Sequence, residues 1–130
     1  MIAKPHNPPS LHPPFSNYSL AMEVSGAERW LHLSGQVGVK KDGSTPPGAE
    51  QQMEECWAKI FTLLESAGMG KGNMVKVTGY VTSPQDVGLF RQVRDRLMEG
   101  FEPASTLVIV AGLANPDWLV EIEAVAVACQ

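Results

Sequence analysis

Only two segments of the sequence carry the apolar spacing of an amphipathic helix. The first covers residues 49–67 and ends before Gly68, and the second starts with Ser83 as its cap and Pro84 as its first residue and ends before Gly100. Serine favours the position before a helix, proline favours its first turn, and glycine favours the position after its end. The apolar stripe of the first segment consists of Met53, Trp57, Ile60, Leu64 and Ala67. Two such helices do not enclose a core by themselves, so we expect them to pack against a sheet.

Five further segments have the short, alternating pattern of strands. They are residues 19–24, 30–39, 74–81, 105–111 and 119–128. In the second of these, strict alternation places Gly35 on the face of the apolar residues and Ser34 on the opposite face. The predicted order is β-β-α-β-α-β-β. This order indicates an α+β fold, a two-layer sandwich with both helices on one face of the sheet.

The second face of the predicted sheet has no helix left to cover it. Apolar residues in the last two strands indicate that this face is not fully exposed to water, and they are Leu107, Ile109, Val125 and Val127. Association with further copies of the chain is the simplest way to cover such a face. We therefore expect an oligomer.

The prolines divide the chain into two parts. Five of the ten lie within the first fourteen residues. Proline has no backbone donor and a fixed φ, so a segment this rich in proline should form neither a regular strand ladder nor a helix. We therefore predict that residues 1–14 form an extended Pro-rich arm and that residues 15–130 form the folded domain.

Composition and charge exclude several classes of function. Fourteen acidic and ten basic residues give a net charge of −4, whereas phosphate-binding domains usually carry the opposite sign. No apolar run approaches the roughly 20 residues of a membrane span, and the first residues lack the apolar core of a signal peptide. We therefore expect a cytoplasmic protein with no membrane partner. The three histidines have no ligand-type spacing, so no metal site is predicted.

Two glutamates in the last strand are candidates for acid–base chemistry. Glu121 and Glu123 are two residues apart, so both side chains point to one face, which Val125 and Val127 continue. A carboxylate on an apolar face is costly to bury unless it is paired or used in a reaction. The spacing alone leaves both interpretations open, a general acid or base and a structural pair bonded to a nearby cation or amide.

Three motifs together resemble the Rid family. They are Tyr18, Leu33-Ser34-Gly35-Gln36, and the region from Pro103-Ala104-Ser105-Thr106 to Val120-Glu121-Ile122-Glu123-Ala124. The family is also known as YjgF/YER057c/UK114, and its older label is endoribonuclease L-PSP. The resemblance covers about residues 15–128, and the predicted order of helices and strands agrees with it.

The resemblance implies a chorismate-mutase-like fold and a homotrimer whose three sheets form a central barrel. Small-molecule ligands would bind in clefts between subunits. Members with deaminase activity hydrolyse reactive enamines and imines, and they use no cofactor. In their scheme, a glutamate on the last strand positions the attacking water, and an arginine after the Pro-Ala dipeptide grips the substrate carboxylate.

The site residues of the family are only partly matched in this sequence. Glu121 matches the water-positioning glutamate, which makes it the predicted catalytic residue. Tyr18 matches a tyrosine that lines the cleft, and Ser34 and Gly35 match its Ser-Gly pair. Leu107 stands where the family usually has a cysteine.

The largest departure is Ser105, which occupies the position of the arginine. A serine hydroxyl cannot make the bidentate, charge-assisted bonds of a guanidinium. Arg94, at a position in the second helix that usually holds an asparagine, is a candidate for a relocated cation. The alternative is that Arg94 is a solvated helix residue paired with a carboxylate.

Three functions remain open at the level of sequence. The first is a hydrolytic deaminase of enamine or imine metabolites with an atypical substrate, in which Glu121 positions the water. The second is a non-catalytic protein that binds small metabolites on the same trimeric scaffold, which the loss of the arginine favours. The third is RNA cleavage, suggested only by the old label of the family, and the acidic balance argues against it.

Overall fold

The computed structural model describes residues 1–130, which contain six strands and two α-helices. The elements are β1 (Ile2–His6), β2 (Ala21–Ser25), β3 (Arg29–Val37), α1 (Ala49–Ser66), β4 (Met74–Val81), α2 (Asp86–Met98), β5 (Ala104–Ile109) and β6 (Val120–Ala128). A single turn of 3₁₀ helix at Lys71–Asn73 precedes β4. The fold is mixed α+β, as the sequence predicts.

The main sheet has four strands in the order β3-β6-β4-β5. Strand β6 runs antiparallel to both of its neighbours, whereas β4 and β5 are parallel and are joined through α2. A parallel pair needs such a crossover, because a tight hairpin reverses the chain direction. Strands β1 and β2 form a separate antiparallel pair.

Both helices cover one face of the main sheet and bury the core there. The alternation in β4 places Val77 and Val81 on this helix-covered face, opposite Ala124 and Val120 of β6. The stripe of α1 is buried as predicted, with Met53, Trp57, Ile60 and Leu64 at 1% exposure or less. Ala67 ends the helix and Gly68 follows it with φ of +69°, which confirms the predicted stop.

A buried glutamine side chain forms hydrogen bonds to two loops beside this core. The amide nitrogen of Gln52, on α1, donates to the carbonyl oxygens of Pro46 at 2.8 Å and Asp117 at 3.0 Å. Its amide oxygen accepts a hydrogen bond from the backbone nitrogen of Leu119 at 2.8 Å. The loop before α1 and the loop before β6 are therefore held to the same side chain.

The N-terminal segment differs from the prediction of an arm without a ladder. Residues 2–6 form β1 and pair with β2 through five registered positions, including Pro5 opposite Met22. All five residues of β1 are exposed. Proline is tolerated here because β1 is an edge strand, in which the N–H of every second residue points away from the partner strand and no donor is needed.

Two local predictions are also wrong. Helix α2 begins at Asp86 rather than directly after Ser83, whose hydroxyl instead accepts the backbone N–H of Gln85 at 3.2 Å in the preceding turn. Leu107 packs against the helix-covered core and not on the open face with Val125. Its partner in the register is Gly79 of β4, which lies on the same face as Val77.

The open face of the sheet carries a shallow apolar groove of about 420 Å³ beside β2. Its lining includes Met22, Val24, Trp30 and Val125. Trp30 is 55% exposed.

Neither α1 nor α2 combines the length and the apolar composition that a membrane-spanning helix needs.

Candidate functional site

Glu121 and Gly35 lie against each other across strands β6 and β3. A Cβ atom added to Gly35 would lie 2.1 Å from Oε2 of Glu121 and 2.8 Å from its carboxyl carbon. Such distances do not occur between a real Cβ and its neighbours, so the carboxylate fills the space that a side chain at Gly35 would need. The lack of a side chain at residue 35 therefore lets Glu121 lie flat on the backbone of β3.

A β-bulge produces this contact. The register of β3 on β6 shifts between Leu33, which pairs with Ala124, and Gln36, which pairs with Ile122. An extra residue in one strand reverses which face the following residues occupy. Strict alternation predicts Gly35 on the face of Leu33, whereas the bulge turns it toward Glu121.

The two glutamates of β6 have different surroundings. The phenol of Tyr80, on β4, donates a hydrogen bond to Oε1 of Glu123, and this bond raises the pKa of Tyr80. Glu121, opposite Tyr80 in the register, makes no side-chain hydrogen bond and no ion pair within the chain. Glu123 therefore has a structural partner, and the Glu121 carboxylate is unpartnered.

Ser34 directly precedes Gly35 at the bulge, and we call Glu121, Ser34 and Gly35 the Glu121 cluster. Ser34 is exposed at the bulge, and its carbonyl oxygen accepts a hydrogen bond from the side-chain amide of Gln36 at 2.9 Å. The backbone beside Glu121 is thus fixed by a local contact as well as by the sheet.

Arg94 is the centre of a second group. The arginine is 3% exposed, and its Nη1 donates to the hydroxyl of Ser105 at 3.0 Å. Its Nη2 donates to the hydroxyl of Ser16, and its Nε donates to Oδ1 of Asp95 at 3.2 Å. Asp95 is the only carboxylate that forms an ion pair with Arg94. The buried guanidinium is held mainly by neutral hydroxyls.

Aromatic rings face the same guanidinium. Its central carbon lies 5.3 Å from the ring centre of Tyr18 and 5.9 Å from that of Phe90, within the range of cation–π attraction. Tyr18 also accepts a hydrogen bond from the backbone nitrogen of Phe15 at 3.4 Å. We call Arg94, Ser105, Ser16 and Tyr18 the Arg94 cluster.

The two clusters lie on opposite faces of the sheet. Ser105 pairs with Val77 of β4, whose side chain points to the helices, whereas Glu121 pairs with Tyr80 on the open face. Side chains at an odd spacing along β4 point to opposite faces. One chain therefore brings together Tyr18, Arg94 and Ser105, and separately Ser34, Gly35 and Glu121, but it does not join the two groups.

Residues 10–128 match the family described as Endoribonuclease L-PSP. The structure also resembles that of a Rid-family protein of unknown function, YyfB from Yersinia pestis. The TM-score is 0.87 at 30% identity, and the match covers 98% of this chain and 100% of the other. The chain belongs to the Rid family.

Relatives of this Rid protein extend over most of its length. A RutC family protein of Aquifex aeolicus is 35% identical over 121 residues, which cover 88% of this chain and 90% of the relative. A mouse protein named 2-iminobutanoate/2-iminopropanoate deaminase is 30% identical over 112 residues, covering 85% and 80% of the two chains.

Sequence reasoning missed one member of the Arg94 cluster. Ser16 precedes the first predicted strand, and no spacing relates it to a residue 78 positions later in the chain. The motif around Tyr18 was the only signal in that region.

In this Rid protein, no three His, Cys, Asp or Glu side chains are grouped so that they could hold a metal ion.

Proposed function

We propose that this Rid protein hydrolyses small, reactive imines and their enamine tautomers, with Glu121 positioning the attacking water. The observation that carries the proposal is the unpartnered carboxylate of Glu121, which lies against Gly35 while its neighbour Glu123 is occupied by Tyr80. A carboxylate without a protein partner is free to accept a hydrogen bond from water. The name of the mouse relative supports the same chemistry.

The reaction is a simple hydrolysis. Glu121 accepts a proton from the bound water as its oxygen attacks the imine carbon, and a tetrahedral carbinolamine forms. Glu121 returns its proton to the nitrogen, the proton of the new hydroxyl also passes to the nitrogen as the C–N bond breaks, and ammonia leaves a carbonyl product. One imine and one water thus give one carbonyl compound and one ammonia, with no change of oxidation state. A positioned carboxylate typically contributes about 10²–10⁴-fold to such a step.

We further propose that the active site forms between copies of the chain in a homotrimer. The Glu121 and Arg94 clusters point away from each other in one chain, so only a neighbouring copy can bring them together. The apolar groove on the open face supports association as well. Ligand would then contact Tyr18 and Ser105 of one copy and Ser34, Gly35 and Glu121 of the next.

The experiment generates imines from amino acids with an amino-acid oxidase and follows the release of ammonia. Glu121→Gln keeps the shape of the side chain but removes its basicity, and we expect a loss of at least about a hundredfold in rate. Glu123→Gln is the matched control, because that carboxylate already has a partner, and its rate should stay close to wild type. A wild type no faster than the uncatalysed reaction, or equal loss in both variants, would contradict the proposal.

The trimer is tested separately by analytical ultracentrifugation. The proposal expects a species of three times 14.1 kDa at micromolar concentration. A monomer at the concentrations of the activity assay would rule out a shared site.

Ser105 favours a second candidate, a protein that binds small metabolites without converting them. This position offers a hydroxyl where the family scheme has a charged grip on the substrate. Binding without turnover would raise the unfolding temperature in the presence of ligand. Stabilisation by a metabolite, together with no acceleration of any imine hydrolysis, would favour this candidate over the deaminase.

A further inference from the structure

Arg94 is a buried cation that the fold does not fully satisfy. A guanidinium has five N–H groups, and three of them donate hydrogen bonds in the structure. Two of those three acceptors are the neutral hydroxyls of Ser105 and Ser16. Burying a charge is costly unless it is paired, and here the one carboxylate, Asp95, bonds only to Nε.

The end of the guanidinium has the geometry that binds a carboxylate. Nη1 and Nη2 each donate a hydrogen bond to one serine hydroxyl, Nη1 to Ser105 and Nη2 to Ser16. A carboxylate would offer two oxygens to a fork of this kind, with stronger, charge-assisted bonds. Both terminal nitrogens of the guanidinium therefore donate to neutral acceptors that a carboxylate could replace.

The guanidinium of Arg94 lies beside residues that we propose to line the ligand cleft. Its guanidinium touches Ser105, the residue that follows Pro103-Ala104, and lies over the ring of Tyr18. Arg94, on helix α2, therefore places a positive charge beside Ser105 of β5, whose own side chain is an uncharged hydroxyl.

We propose that Arg94 binds the carboxylate of the substrate, and that the Ser16 hydroxyl holds the place of one carboxylate oxygen until ligand displaces it. Ser16 belongs to the irregular segment before β2, next to Phe15, which is 69% exposed, so this acceptor can move aside more easily than Ser105 in the sheet. The inference rests on the proposed function and narrows its substrates to imines that carry a carboxylate, the imino forms of 2-oxo acids.

The test measures binding rather than turnover, with pyruvate as the probe and uncharged pyruvamide as its matched control. Calorimetry on the wild type should show binding of pyruvate and much weaker binding of pyruvamide. Arg94→Met should raise the Kd for pyruvate by about tenfold to a hundredfold, the range for hydrogen bonds to a charged group. Arg94→Lys should fall between the two, since it keeps the charge but loses the fork.

Two further measurements do not depend on the fold tolerating a change at Arg94. Ser16→Ala removes the competing hydroxyl and should tighten the binding of pyruvate. In the wild type, addition of pyruvate should shift the side-chain Nε–H signal of Arg94 in a nitrogen-15 NMR spectrum. No binding of pyruvate by the wild type, a wild-type Kd in a folded Arg94→Met, weaker binding by Ser16→Ala, or an unchanged Arg94 signal would each overturn the proposal.

Failure of this inference can be told apart from failure of the proposed function. Glu121→Gln should lose turnover and still bind pyruvate in a way that Arg94→Met abolishes or weakens. Arg94-dependent binding of pyruvate without imine hydrolysis by the wild type would leave the carboxylate site standing and remove the deaminase. Hydrolysis with no dependence of binding on Arg94 would remove only the carboxylate site.

Discussion

The carboxylate of Glu121 lies in the space that a side chain of Gly35 would occupy, so residue 35 determines where this glutamate can be. Gly35→Ala should push the carboxylate away from the bulge of β3. A misplacement of about 1 Å can cost about a hundredfold in rate, and we expect a loss of that order in imine hydrolysis, measured by ammonia release. Gly112→Ala is the control, because a Cβ there meets no atom within 4 Å. Wild-type activity in Gly35→Ala would contradict the assignment of Glu121.

Gln52 should contribute strongly to stability. Gln52→Leu has a similar volume but leaves the carbonyls of Pro46 and Asp117 and the amide of Leu119 without their partner. Because unsatisfied buried polar groups are costly, we expect the free energy of unfolding in urea to fall by about 2–4 kcal/mol. The exposed neighbour Gln51 gives the control, because Gln51→Leu should change the free energy of unfolding by less than about 0.5 kcal/mol. Equal effects of the two substitutions would show that the loops are held in another way.

Cys56 should make the fold sensitive to alkaline pH. Burial raises the pKa of its thiol to about 12, from an ordinary value of 9.0. Above pH 9.0 the unfolded chain therefore loses this proton while the folded chain keeps it, so stability falls as the pH rises, by at most about 1.4 kcal/mol per pH unit. Urea unfolding should show this decline in wild type relative to Cys56→Ala.

The second cysteine provides the control for that measurement. Cys129 is partly exposed near the end of β6, and Cys129→Ala should retain the alkaline decline. A decline that persists undiminished in Cys56→Ala would assign it to other groups.

Tyr80 should titrate above the ordinary tyrosine range. Its hydrogen bond to Glu123 raises the pKa of Tyr80, because the phenol must keep its proton to donate that bond. The chain has two tyrosines, so Tyr18→Phe leaves a single phenol to follow by ultraviolet absorbance. Its midpoint should lie above pH 10.0 and should move down when Glu123→Gln is added. An unchanged midpoint in the double variant would mean that the bond does not persist in solution.

The periodic segments could be predicted from sequence because one physical pattern decides each of them. The stripe of α1 and the alternation of β4 depend on local spacing and burial, and the structure places β4 at Met74–Val81, the predicted bounds. Gly68 marked the end of α1 because a left-handed residue there costs glycine little.

The contacts between distant residues could not be predicted in the same way. The bulge at Ser34-Gly35 appears only when β3 is aligned on β6, so alternation alone assigned Gly35 to the wrong face. The pairing of Ser105 with Val77 likewise depends on the register of a parallel pair. That register separates Ser105 from Glu121, although family motifs had grouped them in one site. Ser16 joined Arg94 through tertiary packing that leaves no trace in the spacing of residues.

Strand β1 has one edge without a partner in the chain, and its sequence is of the kind that discourages further pairing. It pairs with β2 on one side only, and its other edge has no partner in the chain. Exposed edges recruit strands from other molecules, and proline and lysine are residues that discourage such pairing. Lys4 and Pro5 lie within β1. A strand from another molecule would therefore meet a charged side chain and a residue without a backbone N–H. Pro5 is thus compatible with the native ladder to β2 and unfavourable for a further strand on the other edge.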